Sequence, residues 1–374
     1  MNVVHLVPAL FGPRGIVGGA ERYAFELARQ MADRVPTTLL TFGEERYEQL
    51  VGALRVRVIG NPWFVRGQRT NPFSFEVFHE MRDADVVHCH QHHVLVSSAA
   101  AAWSRLTGRR VFVSDLGGGG WDVSAYVSTD TWFHGHLHLS EYSRRIHGHA
   151  SLARARVISG GVDTQKFSPD IAVARNGGAL FVGRLLPHKG IADLVRGLPD
   201  ALPLTIVGPV PDPATRDRLF ALARGKAVTF LHGLDDQALV HEYRRAMCIV
   251  LPSVYRTDEG YETVVPELLG QTLLEGMACG APAICTDVAS MPEIVEHGVS
   301  GFVVSPNHPA SIEERLVWLR DHRSEAATMG EAGRRRVLAT FTWAHTVDRC
   351  LDAYAGALSA GHERSRAAVT GGAR

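Results

Sequence analysis

The sequence predicts an α/β protein built from two doubly wound units, and three observations carry that prediction. Short apolar runs alternate with helical patterns along the chain, as in a mostly parallel sheet with helices on both faces. The alternation begins afresh near the middle, after a stretch of glycine, proline and polar residues. The length of 374 residues exceeds one compact core and suits two domains of ordinary size.

In the first unit, NVVHLV reads as the opening strand, followed by a helix near Ala20 to Ala32 and the strands TTLLTF, RVRVIG and DVVHCH. A helix near Val94 to Thr107 precedes RRVFVSD and HLHLS. The second unit opens with ALFVGR and a helix near Ile191 to Leu198. LTIVG, a helix near Pro213 to Arg224, VTFLHG, a helix near Asp236 to Ala246, and CIVLPS continue it, and PAICTD and GFVV close the sheet. A hinge is expected near Asp163 to Gly178. The assignment is 1–165 for the first domain, 166–345 for the second, 346–360 for a terminal helix packing back across both, and 361–374 for a disordered tail. The helical pattern of that last element runs from Trp343 to Leu358.

The stretch PELLGQTLLEGMACGAP, 266–282, concentrates most of the legible chemistry. Pro266 suits a first helical turn, and Gly280 with Pro282 marks a stop, which predicts a helix from about Glu267 to Cys279. On such a helix Glu267 and Glu275 stand roughly 12 Å apart along the axis and about 80° around it. They are too far apart to share a proton, but suited to opposite ends of one elongated ligand. Free N–H groups of Leu268, Leu269 and Gly270 would hold an anion between them, and Gly270 permits close approach. Ribose at one carboxylate, diphosphate on the helix start and a hexose at the other describe a nucleotide sugar. An amphipathic core helix with two solvated glutamates is the plainer alternative.

Arg184 and Lys189 follow the first strand of the second unit. Two cations five residues apart at a strand's carboxyl end suit a diphosphate, arginine by its planar fork and lysine as a point charge. Gly12, Gly15, Gly18 and Gly19 form a turn after the first strand that can cradle a phosphate, although their spacing is not that of a dinucleotide fingerprint. Glu44 after the second strand keeps a nicotinamide reading open.

Composition narrows the remaining classes. Lysine plus arginine and aspartate plus glutamate number 39 each, which gives no argument for nucleic acid. Cys89, Cys248, Cys279, Cys285 and Cys350 form no C-x-x-C pair and sit mostly in apolar runs, as buried free thiols of a reducing compartment do. The N-terminus reads as a strand, and no apolar run has the length of a membrane helix, so the expectation is a cytoplasmic protein. The segment NPWFVRGQRTNPF, 61–73, interleaves aromatics with Arg66 and Arg69 and would suit peripheral contact at an inner membrane face, although a plain surface loop is the commoner case.

In HCHQHH, 88–93, and HGHLH, 134–138, alternate histidines share a strand face and form two-ligand sets, yet no acid or cysteine completes either at a recognised spacing. No metal is expected. The loop YRTDEGYET before Pro266 is longer than its connection requires, and its role is not legible.

Taken in order, GGAER, DVVHCH, GVDTQKFSP, FVGRLLPHKG, LTIVG, LPS and the pair Glu267 and Glu275 carry a resemblance. Over nearly its whole length the chain resembles the retaining nucleotide-sugar glycosyltransferases of family 4, with two Rossmann-like domains facing each other across a cleft in the GT-B architecture. The resemblance implies that Arg184 and Lys189 bind the donor diphosphate, that Glu275 hydrogen-bonds the ribose, and that Glu267 contacts the transferred sugar near the reacting carbon. It implies that Gly18 and Gly19 close on the donor from the other domain, and that no divalent metal or other cofactor is needed because cations and the helix dipole stabilise the leaving diphosphate. Asp83 and Asp85 then merely open a strand.

The chain departs from that pattern at one place. Where many relatives carry an acceptor-side histidine it reads VFVSDLGGGG, so Ser114 stands there. Asp115 is a polar substitute in a catalytic role, His90 lines the same strand ends, and Gly117 to Gly120 with Trp121 form an acceptor loop. The acceptor is expected to be a saccharide, a lipid-linked sugar or a small molecule. A non-hydrolysing nucleotide-sugar epimerase, a nicotinamide oxidoreductase and a donor-binding protein without turnover are the rivals.

Overall fold

A computed structural model describes residues 1–11, 18–210 and 212–371, with side chains described through residue 359. The chain divides into two compact units: Met1–Ser159 with the helix that starts at Trp343, and Gly160–Thr342.

The first unit is built on an eight-stranded sheet. It contains β1 (Val3–Leu10), α1 (Gly19–Ala32), β2 (Thr37–Gly43), β3 (Tyr47–Val51), β4 (Leu54–Gly60), β5 (Trp63–Phe64), β6 (Pro72–Phe73) and α2 (Glu76–Glu80). There follow β7 (Val86–Cys89), α3 (Leu95–Leu106), β8 (Arg110–Val113), β9 (Gly135–His138), α4 (Glu141–Ile146) and β10 (Ala155–Val157). The strand order is β10-β9-β8-β7-β1-β2-β4-β3, parallel except for the edge pair β3 and β4. Val4, Leu6, Val87, Val111 and Phe133 lie in the core between sheet and helices, and burial of such side chains contributes roughly 1.5–3 kcal/mol each.

The second unit holds a six-stranded, wholly parallel sheet. Its elements are β11 (Ala179–Val182), α5 (Ile191–Arg196), β12 (Leu204–Val207), α6 (Pro213–Leu222), β13 (Val228–Leu231), α7 (Asp236–Arg245), β14 (Cys248–Leu251) and α8 (Gln271–Ala278). β15 (Ala283–Thr286), α9 (Met291–Ile294), β16 (Gly301–Val304), α10 (Pro309–Asp321) and α11 (Arg323–Thr340) complete it, in strand order β13-β12-β11-β14-β15-β16. The strands read as continuous apolar runs because both of their faces are covered.

The last helix, α12 (Trp343–Gly371), belongs to the first unit. Trp343 packs on Tyr23 of α1 with ring centres 5.3 Å apart, and Tyr354 is fully buried against Phe112. The helix continues past Leu358, where the sequence pattern ends it, through SAGHERSRAAVTG, whose alanines and arginines favour helix. Residues 372–374 of the expected disordered tail lie outside the described residues.

The sharpest local correction concerns the 266–282 stretch. The helix starts at Gln271, not at Glu267, because Gly270 is left-handed with φ 81°, a conformation that cannot continue a right-handed helix backwards. Glu267, Leu268 and Leu269 therefore lie in the loop before it, and the free N–H groups at the helix start belong to the residues from Gln271 onward. All five cysteines are buried free thiols, and burial pushes Cys89, Cys248, Cys279 and Cys350 up to about 12.

Candidate functional site

In a doubly wound sheet, neighbouring strands whose connections leave in opposite directions open a crevice at their carboxyl ends. In the second unit that point lies between β11 and β14. The loop after β11 carries Arg184 and Lys189; the loop after β14 carries Pro252 and Ser253. They touch at Gly190, which has φ 66° and whose Cβ, if present, would lie 1.8 Å from the Pro252 carbonyl oxygen. Only glycine lets the two loops meet, and the amide of Val254 completes the join by donating to the His188 carbonyl at 2.8 Å.

Lys189 Nζ lies 2.5 Å from Glu267 Oε2, with both side chains largely shielded from solvent. Arg184 is exposed and forms no ion pair among the described residues. Between them stands His188. Burial first, then the charges of Lys189 and Arg184, push its imidazole down to about 4. Among the described residues its buried Nδ1 has no hydrogen-bond partner. Sequence reading missed this residue, although its place between the two cations was visible.

Glu275 is 8 % exposed, and its Oε2 accepts from the Tyr243 hydroxyl at 2.6 Å. Tyr243 lies on α7, 32 residues away, and no sequence signal announces the pair. Leu269 is buried, and Gln271 of the helix start donates from Nε2 to the Gly161 carbonyl at 3.0 Å. Of the donor-side residues expected from sequence, Lys189 and Glu267 are thus in direct contact, with Arg184 five residues from Lys189 on the same loop. The long 254–265 loop is tied down by Asp258, which pairs with Arg196 at 2.6 Å and Arg218 at 2.9 Å.

In the first unit the corresponding point lies between β1 and β7. Gly12 and Gly15 lie outside the described residues. Gly18 caps α1 with φ 114°, and among the described residues no atom lies within 4 Å of where a Cβ of Gly19 would project. Across the switch point His5 of β1 meets His90 at 2.7 Å between ring nitrogens. His88 is held by the Tyr354 hydroxyl at 2.7 Å on one nitrogen and Ser114 Oγ at 2.9 Å on the other. His90 is 2 % exposed and Ser114 is fully buried, so both face the interior.

Asp115 is the more accessible group at this end. Its Oδ1 accepts from Gln91 Nε2 at 3.1 Å and the Gly117 amide at 3.0 Å, while Oδ2 lies 3.4 Å from His147 Nε2. Burial alone would push this carboxyl up, but the bonds from His147 and Gly117 and the His147 charge outweigh it and hold it below the usual range. The same bond raises His147, a partner that sequence reading missed. Trp121 accepts from Asn71 Nδ2 at 2.7 Å through its carbonyl, and the Arg66 guanidinium lies 4.1 Å from its ring centre. The glycine loop and the 61–73 segment therefore form one surface. Asp85 accepts from the Asn2 amide at 2.7 Å, at the opening of its strand.

Folding brings Asp130 and His149 to His136, but not to His138, from positions too far apart in sequence to show a recognised spacing. Among the described residues no helix is long and apolar enough to cross a membrane.

Comparison with known proteins places this geometry. The family described as Glycosyl transferases group 1 matches residues 172–336, and Glycosyltransferase Family 4 matches residues 17–166. D-inositol 3-phosphate glycosyltransferase of Mycolicibacterium gilvum is 33 % identical over 228 residues, covering 56 % of this chain and 48 % of that protein. The match therefore spans about half the length of this relative. Alpha-maltose-1-phosphate synthase of Mycobacterium tuberculosis is 27 % identical over 274 residues, 63 % of this chain and 67 % of that one. Among solved structures, Anabaena HepE in complex with UDP superposes with a TM-score of 0.71 at 16 % identity, over 95 % of this chain and 100 % of that chain, a likeness of fold.

Proposed function

We propose, for a chain that belongs to the family 4 glycosyltransferases and has their GT-B fold, that it transfers a sugar from a nucleotide-diphosphate donor to an acceptor hydroxyl with retention at the anomeric carbon. The observation that carries the reading is the pairing of Lys189 with Glu267, on the loop of the exposed Arg184 and at the switch point of the second sheet. A diphosphate entering there meets Arg184, and Lys189 turns from Glu267 to a phosphate oxygen. Glu267 is then left to orient the sugar. Glu275, steadied by Tyr243, takes the ribose, and the N–H groups from Gln271 add a partial positive charge.

The bond from the anomeric carbon to the diphosphate oxygen breaks as the acceptor oxygen bonds the same face of that carbon, and the acceptor proton passes to the departing phosphate. Arg184 and Lys189 stabilise the charge that develops on the diphosphate, so the step needs no divalent metal. In the first unit Asp115 orients the acceptor hydroxyl, and His90 and Ser114 position the strand ends behind it. The nucleotide of HepE and the phosphorylated small molecules in the relatives' names support a nucleotide donor and a saccharide or small-molecule acceptor. Exposed Trp63 and Phe75 beside the Arg66 segment favour peripheral contact with a membrane, and the free thiols favour the cytoplasm.

The test is to incubate the full chain with UDP-, GDP- and ADP-sugars plus inositol phosphate, hexose phosphate and glycolipid acceptors. Released nucleoside diphosphate is measured, and proton NMR gives the product's anomeric configuration. Acceptor-dependent release with retained configuration is expected. Inverted product would overturn the mechanism, and epimerised sugar formed from donor alone would establish an epimerase instead.

A further inference from the structure

The described part of the first unit holds a cluster the transfer chemistry does not use. Asp130, His136 and His149 each present one ligand atom, and these atoms lie within 4.8 Å of one another. His149 Nε2 is 3.8 Å from Asp130 Oδ1, and a fourth imidazole, His92, has its Nε2 3.9 Å from the same oxygen. Tetrahedral ligands about a zinc ion stand roughly 3.4 Å apart, given bonds of about 2.0–2.1 Å, so small side-chain rotations would close the set.

We propose that Asp130, His136 and His149 bind one divalent transition-metal ion of the class that prefers imidazole with carboxylate, with His92 or water as the fourth ligand. The hydrogen bonds of His149 suit the tautomer it needs, whereas His136 Nε2 donates to the Asp130 carbonyl at 3.1 Å and would ligate either through Nδ1 or by releasing that bond. His149 Nδ1 lies 3.0 Å from His138 Nε2, and His138 Nδ1 lies 3.3 Å from Ser143 Oγ. A proton donated along that line from His149 to His138 and from His138 to Ser143 leaves the His149 Nε2 lone pair facing Asp130. Ligating histidines are commonly fixed by such a bond on the other nitrogen.

His136 and His149 are buried, while Asp130 keeps 41 % of its side chain exposed and leaves a way in for the ion. The ion would pin the turn that carries Asp130 to β9 and to the end of α4, at a distance in sequence from every donor-side residue. Its binding is separate from sugar transfer and is read without it.

The experiment uses the full chain stripped with EDTA and titrated with Co²⁺, followed by its visible absorption, and with Zn²⁺ by calorimetry. One equivalent of Co²⁺ with tetrahedral-type bands, displaced by Zn²⁺, is expected. Asp130→Asn and His149→Gln should each weaken binding at least tenfold, while His93→Gln, an exposed neighbour, leaves it unchanged. Asp130→Asn alters a part-exposed carboxylate and keeps the test open if His149→Gln fails to fold. Absence of Co²⁺ or Zn²⁺ binding to the wild type, or binding undiminished in Asp130→Asn, would overturn the assignment.

Discussion

The two units are both doubly wound about a switch point and put opposite chemistry there. Between β11 and β14 stand charges: exposed Arg184, and Lys189 against Glu267. Between β1 and β7 stand buried neutral imidazoles, His5, His88 and His90, locked by Tyr354 and Ser114. The difference teaches that the crevice is a property of strand order, whereas what it binds is decided by a few side chains at the strand ends. A charged crevice is made to hold a charged ligand. A neutral buried one resists protonation.

The largest expected effect sharpens that contrast by acid. Seven histidines of the first unit, His5, His88, His90, His92, His136, His138 and His149, are held below their ordinary value, chiefly by burial. A lowered histidine is neutral when folded and takes up a proton on unfolding. Its share of stability falls as pH drops below the unfolded value of about 6.5, by roughly 1.4 kcal/mol per pH unit for each. His147 runs the other way: its raised value gives stability that is full below 6.5 and lost as pH rises through the folded value. The second unit has His188 lowered to about 4. Hydrogen exchange read by mass spectrometry between pH 7 and 5 should therefore show the first unit opening first. Equal loss of protection in both units would break the comparison.

Next in size is transfer itself. Glu267→Gln removes the partner of Lys189 and the group placed at the sugar, and is expected to lower kcat by roughly 10²–10³. Gly190→Ala sets a Cβ against the Pro252 carbonyl in a left-handed backbone, which should cost about 1–3 kcal/mol or more and lower Tm of the second unit. The smallest effect is Arg66→Ala. Loss of the guanidinium over Trp121 is worth roughly 0.5–2 kcal/mol and should raise KM for acceptor while KM for donor stays unchanged. A donor effect instead would move that surface out of the acceptor's reach.

Much of this fold is legible because parallel strands buried on both faces read as unbroken apolar runs, as at NVVHLV and CIVLPS. The edge strands β3 and β10 escape such reading: YEQLV is exposed and half polar, and ARV is too short. The start of α8 was misplaced because Pro266 is an acceptable first helical residue, while the left-handed turn at Gly270 is visible only in three dimensions. Arg184, Lys189 and Glu267 were legible since each follows a strand end. Tyr243 behind Glu275, His147 behind Asp115 and Asp130 beside His149 were not, for they meet through tertiary packing that leaves no local pattern.

The central claim is that the charged switch point of the second unit holds the donor's diphosphate. It is tested most directly by calorimetric titration of UDP, GDP and ADP, and of the monophosphate of whichever base binds, into wild type, Arg184→Ala and Lys189→Ala. One diphosphate should bind more tightly than its monophosphate. Each substitution should weaken it by roughly 10- to 150-fold, the worth of one charge-assisted contact, and narrow the gap between the two nucleotides. Equal affinity for mono- and diphosphate, or variants that bind as the wild type does, would contradict the account.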